Sequence, residues 1–358
     1  MIYRETGQFR TDYAADQAIF PILQDRLGLA LILLLAFVAV PIFGSDFFVS
    51  TIMIPFLIFA LATIGLNLLT GYAGQLSLGT GAFMGVGAYA CYKLTTAFPD
   101  VSIVIMVLVS GVFAAGIGAL FGLPSLRIKG FYLAVATLAA QFFLDWAFNR
   151  VPWLVNDNAS GAIEVPTRTL FGVPITGATA QPVARYLVVL VLVTALAWMA
   201  TNLTRGRIGR AWMMVRDMDI AAELMGISLL RAKLQAFAVS SYVCGVAGAL
   251  MVFFWLGAAE ASSFEINLSF QVLFMVIIGG LGSIAGSFMG AAFIWILPVV
   301  IRALPDLLGL PVAASTVEHV NFMLVGALII FILAVEPHGF ARLWQVGKQK
   351  LRTWPFPY

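Results

Sequence analysis

The chain has 358 residues, of which 61% are hydrophobic and 10% charged, with a formal net charge of +3 and a mean hydropathy of +1.00. A soluble domain covers its surface with roughly a quarter of its residues charged, so this composition excludes a water-soluble globule. Apolar residues fall in uninterrupted blocks and not in the period-3.6 stripes of soluble amphipathic helices. No charge occurs from Phe47 to Tyr92, from Val101 to Leu126, from Tyr186 to Thr204, from Leu234 to Ala259 or from Ile266 to Ile301.

In chain order, residues 1–26 form a mixed-charge tail with Arg4, Glu5, Arg10, Asp12, Asp16, Asp25 and Arg26. A secretory signal begins with a short basic region, so the tail reads as cytoplasmic. A membrane crossing needs about 20 apolar residues at 1.5 Å rise each. On that measure the permease domain, 27–336, contains about ten spans: 27–44, 48–69, 76–97, 101–123, 131–149, 186–204, 234–257, 267–281, 285–304 and 320–336. The stretch from Glu265 to Arg302 is too long for one crossing. Gly279-Gly280-Leu281-Gly282-Ser283 offers a turn in its middle, with a short first arm that reads as broken or re-entrant.

Arg and Lys collect in cytoplasmic loops near span ends. Arg127 and Lys129, the loop from Arg205 to Lys233, and Arg342, Lys348, Lys350 and Arg352 of the tail 337–358 all face one side if there are ten spans. Both termini are then cytoplasmic. One long external segment remains, 151–184, where Pro152, Pro166, Pro174 and Pro182 deny a continuous helix. It reads as a compact cap over the outer mouth, either a connector or a docking surface for an external partner.

Two segments stand out mechanistically. The first, Gly71 to Gly85, holds many glycines and several polar side chains at membrane depth. Non-helical backbone survives there only when buried in protein or lining a wet cavity. One reading is a broken helix lining a pathway; the other is tight helix packing through the Gly81 and Gly85 face plus a turn. The uncharged polar residues Asn67, Gln75, Ser77, Thr80 and Gln141 are the candidate pathway lining. Small-residue faces recur at Gly111, Ala115 and Ala119, at Ala114, Gly118 and Gly122, and at Gly286 and Gly290, and predict close helix packing.

The second segment runs from Thr204 to Lys233. Asp217 or Asp219 is placed to cap a short helix that Gly226 ends, and Ile220, Leu224 and Ile227 share one face. An amphipathic helix held outside the membrane suits a groove on another protein. The alternative is a helix lying on lipid headgroups, and the acids Asp217, Asp219 and Glu223 count against anionic lipid.

Asp145 is an isolated carboxylate near a span end, and a proton- or cation-coupled transporter needs several ionisable groups at mid-depth. Cys91 and Cys244 lie inside apolar blocks and imply neither disulfide nor metal site. His319 and His338 are too isolated for metal chemistry. There is no Gly-x-x-x-x-Gly-Lys-Ser/Thr phosphate loop, no catalytic triad and no nucleic-acid patch. The chain is expected to conduct a solute, with no cofactor of its own.

The stretches Gly71–Tyr89, Lys129–Ala139, Gly209–Gly226 and Phe274–Gly290 resemble the LivM-type permease subunits of branched-chain amino-acid ABC importers. The likeness runs from roughly Asp46 to Glu336. It implies an all-α polytopic bundle, a second permease subunit that is a paralogue, two cytoplasmic ATPases that bind the ATP, and an external substrate-binding protein. It also implies that the loop after span six carries the coupling helix, with Arg216, Asp217, Asp219, Ile220, Ala221, Ala222, Glu223, Leu224 and Gly226 at the ATPase. Of the importer pattern Glu-Ala-Ala-x-x-x-Gly, Ala221, Ala222 and Gly226 match and Ile220 replaces the glutamate. That departure is similar to the ten-span vitamin-B12-type architecture. Thr80 stands where relatives often carry histidine. A urea or short-amide importer is the alternative within the family, and a stand-alone secondary transporter or channel the alternative outside it.

Overall fold

The computed structural model describes residues 23–123, 131–156, 158, 161–170, 172–177, 180–307, 314–336 and 338–353. Helices occupy all ten predicted spans: α1 (Asp25–Phe43), α2 (Phe48–Tyr72), α3 (Thr80–Ala97), α4 (Ile103–Gly122), α5 (Phe131–Arg150) and α6 (Pro182–Arg205), then, after two short helices, α9 (Leu229–Leu256), α10 (Ile266–Gly279), α11 (Ile284–Leu307) and α12 (Ala314–Val335). Seven helical stretches among the described residues are long and apolar enough to cross a membrane. The two short helices are α7 (Arg207–Asp217) and α8 (Asp219–Leu224), and α13 (Gly339–Thr353) follows the last span. Residues 124–130, with the loop charges Arg127 and Lys129 and the start of the stretch Lys129–Ala139, and the first 22 residues of the N-terminal tail lie outside the described residues.

The core is built around α9, whose residues from Val243 to Leu250 are buried and which packs against α2, α3 and α4. Lipid tails are as apolar as leucine, so helices in a bilayer associate through close van der Waals contact, and small residues allow that approach. The crossing of α3 and α9 depends on this. A β-carbon on Gly87 would run into the Gly245 carbonyl, and one on Gly248 into the Met84 carbonyl. The predicted faces behave alike: Gly111, Gly118 and Gly122 of α4 meet Tyr242, Ser241 and Phe237 of α9, and Gly286 and Gly290 of α11 meet Gly279 and Met275 of α10. Large apolar side chains remain exposed on α1 (Ile32, Phe43), α4 (Val112, Phe113) and α12 (Ile330, Phe331), the faces a bilayer would cover.

Two ends of the bundle differ in chemistry. At one, the cap end, the described residues between 151 and 181 form short pieces: a 3₁₀ turn at Pro152–Val155 and strands β1 (Ile163–Glu164), β2 (Thr169–Leu170) and β3 (Val173–Pro174). Strand β1 pairs antiparallel with β4 (Ala258–Ala259), directly after α9, with Ile163 opposite Ala259. The cap is also tied to the end of α3. Lys93 bonds Asn156 and lies over the Trp153 ring at 4.2 Å, and Arg168 donates to the Thr95 carbonyl at 2.6 Å.

The other end, the basic end, carries α7, α8 and α13. Helix α13 starts against the α10–α11 turn, where a β-carbon on Gly280 or Gly286 would meet Ala341, and Phe340 crosses Phe293 at 5.1 Å. It finishes near the start of α1, where Lys348 pairs with Asp25 at 2.8 Å. Helix α13 thus connects the α10–α11 turn with the start of α1.

Candidate coupling and translocation site

Between α2 and α3 the chain abandons helix for residues 73–79, although Ala73, Gln75, Ser77 and Gly79 are buried. Helix α2 loosens into a π-helical turn at Leu68–Tyr72, and Gly74 then takes φ +68°. The predicted span 76–97 therefore starts later, at Thr80, because these residues cross the interior as irregular backbone.

Buried backbone N–H groups need partners, and neighbouring helices supply them. Thr137 of α5 accepts from the Leu78 N–H at 2.9 Å. Ser269 of α10 accepts from the Gly81 N–H and Gln141 of α5 from the Ala82 N–H, each at 2.8 Å. These are the donors that the first turn of a helix leaves open, and Gly79 before them offers no side-chain cap. Gln141 also donates to the Phe264 carbonyl at 2.7 Å and accepts from the Ser269 hydroxyl at 3.0 Å.

The depth of this cluster follows from helix rise. Gln141 stands ten residues after Phe131 and Ser269 ten residues before Gly279, so both lie about 15 Å from the basic end at 1.5 Å per residue. That is the midplane of a hydrocarbon core roughly 30 Å thick. Helix α3 thus begins halfway through the membrane.

The second interruption, between α10 and α11, lies at the basic end. Gly280 and Gly282 take φ +111° and +75°, conformations open to glycine and costly for other residues. Asn67 of α2, 1% exposed, fills the turn. Its amide nitrogen donates to the Ser283 carbonyl and the Ser287 hydroxyl at 2.9 Å each, and its oxygen accepts from the Gly282 N–H at 2.8 Å.

One turn further along α2, the Gly71 carbonyl accepts from the Arg216 guanidinium at 2.7 Å. Arg216 is in the last turn of α7 and bonds Asp217 at 2.8 Å through Nε. This bond holds the exposed Asp217 carboxyl below the usual carboxylate range. Arg216 therefore links the loop outside the bundle to the residue where α2 gives way to the break.

Helix α8 presents its apolar residues outward: Ile220 is 69% exposed and Leu224 85%, with Met218 and Met225 beside them, while Ala222 is buried. Its end is a Schellman closure, in which Gly226 at φ +84° donates to the Glu223 carbonyl at 2.9 Å and Ile227 to Ala222 at 3.0 Å. The start differs from expectation. Met218 occupies the cap position without a side-chain bond, Asp217 closes α7 and Asp219 opens α8. The reason is the separate helix α7, held by buried Trp212 and Val215, which uses up Asp217. Ala221 and Glu223 are exposed on the same helix.

Of the five residues singled out as polar at membrane depth, Gln75 lines the open cleft beside this loop. Asn67 and Gln141 hold the two interruptions, Ser77 accepts from the Gly79 N–H at 3.3 Å, and Thr80 is packed at the start of α3. The sequence reading missed Thr137 and Ser269. The only signal for them is position: Thr137 stands four residues before Gln141 in α5, and Ser269 between Asn267 and Gln271 in α10. No group of His, Cys, Asp and Glu side chains among the described residues could hold a metal ion.

A helical bundle with seven candidate membrane spans among the described residues, a break in the chain deep inside it and an exposed amphipathic helix linked to that break defines a multi-pass membrane protein of the transporter class. The chain belongs to the family of branched-chain amino acid transport system permease components, which matches residues 48–333. It is 29% identical over 303 residues to the high-affinity branched-chain amino acid transport system permease protein LivM of Escherichia coli (strain K12), covering 79% of this chain and 67% of that protein. LivM of Salmonella typhimurium gives the same identity and coverage. The "Probable branched-chain amino acid transport permease protein LivM" of Methanocaldococcus jannaschii is 23% identical over 338 residues, 81% of this chain and 92% of that protein. No solved structure matches the chain.

Proposed function

We propose that this chain is the membrane-spanning permease subunit of an ATP-driven importer of branched-chain amino acids, placed in the bacterial inner membrane with its basic end and both termini in the cytoplasm. The family and its LivM relatives support the transport role. The clustering of arginine and lysine around α7 supports the orientation. Two cytoplasmic ATPases bind the ATP, a paralogous permease completes the channel, and an external binding protein delivers substrate at the cap.

The observation that carries the reading is the Arg216 bond to Gly71. The exposed face of α8 suits an apolar groove on an ATPase, and Asp217, Asp219 and Glu223 give it a charged rim. When the ATPases close and displace α8, Arg216 passes the movement to the end of α2. From there it reaches the break and, through Asn67, the α10–α11 turn. Rearrangement at the break opens the midplane path alternately to each side, with Gln75, Ser77, Thr80 and Gln141 around it. Selectivity resides mainly in the binding protein, consistent with the lack of charge at mid-depth.

The test is reconstitution of the complete complex in proteoliposomes. Uptake of labelled leucine should require the ATPases, and uptake by this chain alone would refute the reading. Arg216→Ala should leave the complex assembled and hydrolysing ATP while leucine moved per ATP falls about tenfold; an unchanged ratio would remove Arg216 from the coupling path.

A further inference from the structure

One helical turn to the cap side of the break, the chain carries charge. Asp145 follows Gln141 by four residues in α5, and Glu265 precedes Ser269 by four at the start of α10. Gln141 and Ser269 lie at the midplane, so both carboxylates stand about 6 Å from it, in the cap-side half of the hydrocarbon. Glu260 lies five residues further toward the cap.

Tyr89 of α3 draws the two acid-bearing segments together. Its ring stacks on Phe148, three residues beyond Asp145, at 4.6 Å, and tilts against Phe264, next to Glu265, at 6.2 Å. Gln141 ties the same segments through the Phe264 carbonyl. Asp145 and Glu265 are close enough to repel each other, and the Tyr89 hydroxyl lies in the field of Asp145 and Glu260. Tyr89 is 1% exposed, and its hydroxyl has no hydrogen-bond partner among the described residues.

The acids have no cation. Among the described residues Asp145, Glu260 and Glu265 form no ion pair, and the one side-chain bond to them is from Asn149 to Asp145 at 3.4 Å. Lys93 and Arg168 are engaged with the cap, Lys93 on Asn156 and Arg168 on the Thr95 carbonyl. All three acids keep accessible surface. Carboxylates at such depth face a wet cavity or a counter-charge, because facing lipid is costly. The three do not form a group that could ligate a metal ion. A primary ammonium suits them better: it carries the opposite charge and three donors, for the two carboxylates at one depth and the open Tyr89 oxygen.

We propose that Asp145, Glu265 and Tyr89 form a cap-side station for the ammonium group of the travelling amino acid, just before it meets the break. The inference rests on the importer reading above and sharpens its substrate class. A neutral urea or amide gains little from two unpaired carboxylates, whereas a zwitterion or cation gains a counter-charge. The station lies between the cap, where substrate arrives, and the charge-free midplane, which holds no group that would retain it.

The experiment uses the complete complex with its binding protein in proteoliposomes. Asp145→Asn and Glu265→Gln should each lower the leucine moved per ATP about tenfold, the loss of one charge-assisted hydrogen bond. The double variant should fall little further, because both acids serve one group. Asp145→Glu should restore most of the ratio. Unpaired acids that repel each other serve function at the expense of stability, so the thermal midpoint of Asp145→Asn and Glu265→Gln should equal or exceed that of the wild type. Cys91 and Cys244 are buried, so Asp145→Cys offers one accessible thiol. It should react about fivefold faster with a cationic than with an anionic thiosulfonate, and adding Glu265→Gln should at least halve that preference. Wild-type coupling in the neutral variants, a lowered midpoint, or a thiol that no aqueous reagent reaches would overturn the inference and leave the importer reading intact. So would loss of the second permease from either neutral variant, which would place a partner's cation on these acids. Absence of any ATP-dependent branched-chain amino-acid uptake by the wild type would sink the importer reading, and this inference with it.

Discussion

The chain interrupts its helices twice with glycine-rich segments, and the two interruptions are held differently. At the α10–α11 turn, two glycines reverse the chain within a few residues, and one side chain, Asn67, meets the open backbone groups. At residues 73–79 the chain stays irregular to the midplane; Thr137 meets the Leu78 amide, and Gln141 and Ser269, from two other helices, meet the first open amides of α3 that follows. The difference follows from depth. At the basic end, water can replace a lost bond. At the midplane it cannot, and every backbone group must find protein. An irregular segment so deep therefore needs a dedicated set of side chains, and its position depends on the helices that carry them.

This contrast orders three substitutions. Gln141→Leu should be the most damaging, because it strips the Ala82 N–H, the Phe264 carbonyl and the Ser269 hydroxyl of one partner each. A loss of about 2–4 kcal/mol is expected, seen as a lower thermal midpoint in detergent together with loss of uptake. Asn67→Ala removes a comparable number of bonds but opens its site to water, so about 1–2 kcal/mol is expected. If Asn67→Ala proves as destabilising as Gln141→Leu, depth does not govern the cost. Thr137→Val keeps the shape and removes the single bond to Leu78; about 1 kcal/mol is expected, within the range for hydrogen bonds between membrane helices. Its uptake rate should fall less than that of Gln141→Leu, and equal loss would show that residues 73–79 tolerate no slack anywhere.

Much of this was legible beforehand. The apolar blocks place the ten helices, since only spans of that length and composition suit a bilayer. The two glycine clusters mark both interruptions, because glycine at Gly74, Gly280 and Gly282 is what positive φ requires. Gly226 likewise announces the end of α8. Asn67 and Gln141 were legible as polar residues at membrane depth, but not as the residues that brace the two breaks. The helix α13 was hidden in a tail read only for its charge, since its anchors, Gly280, Gly286 and Asp25, come from elements far away in sequence.

The sequence by itself determined the membrane bundle, its turns and the exposed amphipathic helix, because hydropathy and backbone conformation are local properties of short segments. Tertiary structure alone decided that Arg216 reaches Gly71, that α5 and α10 hold the start of α3 at mid-depth, and that Gln75 and Lys233 share one cleft. Each of these is a meeting of side chain and backbone from separate helices, and such meetings are set by how the helices pack rather than by what any one segment contains.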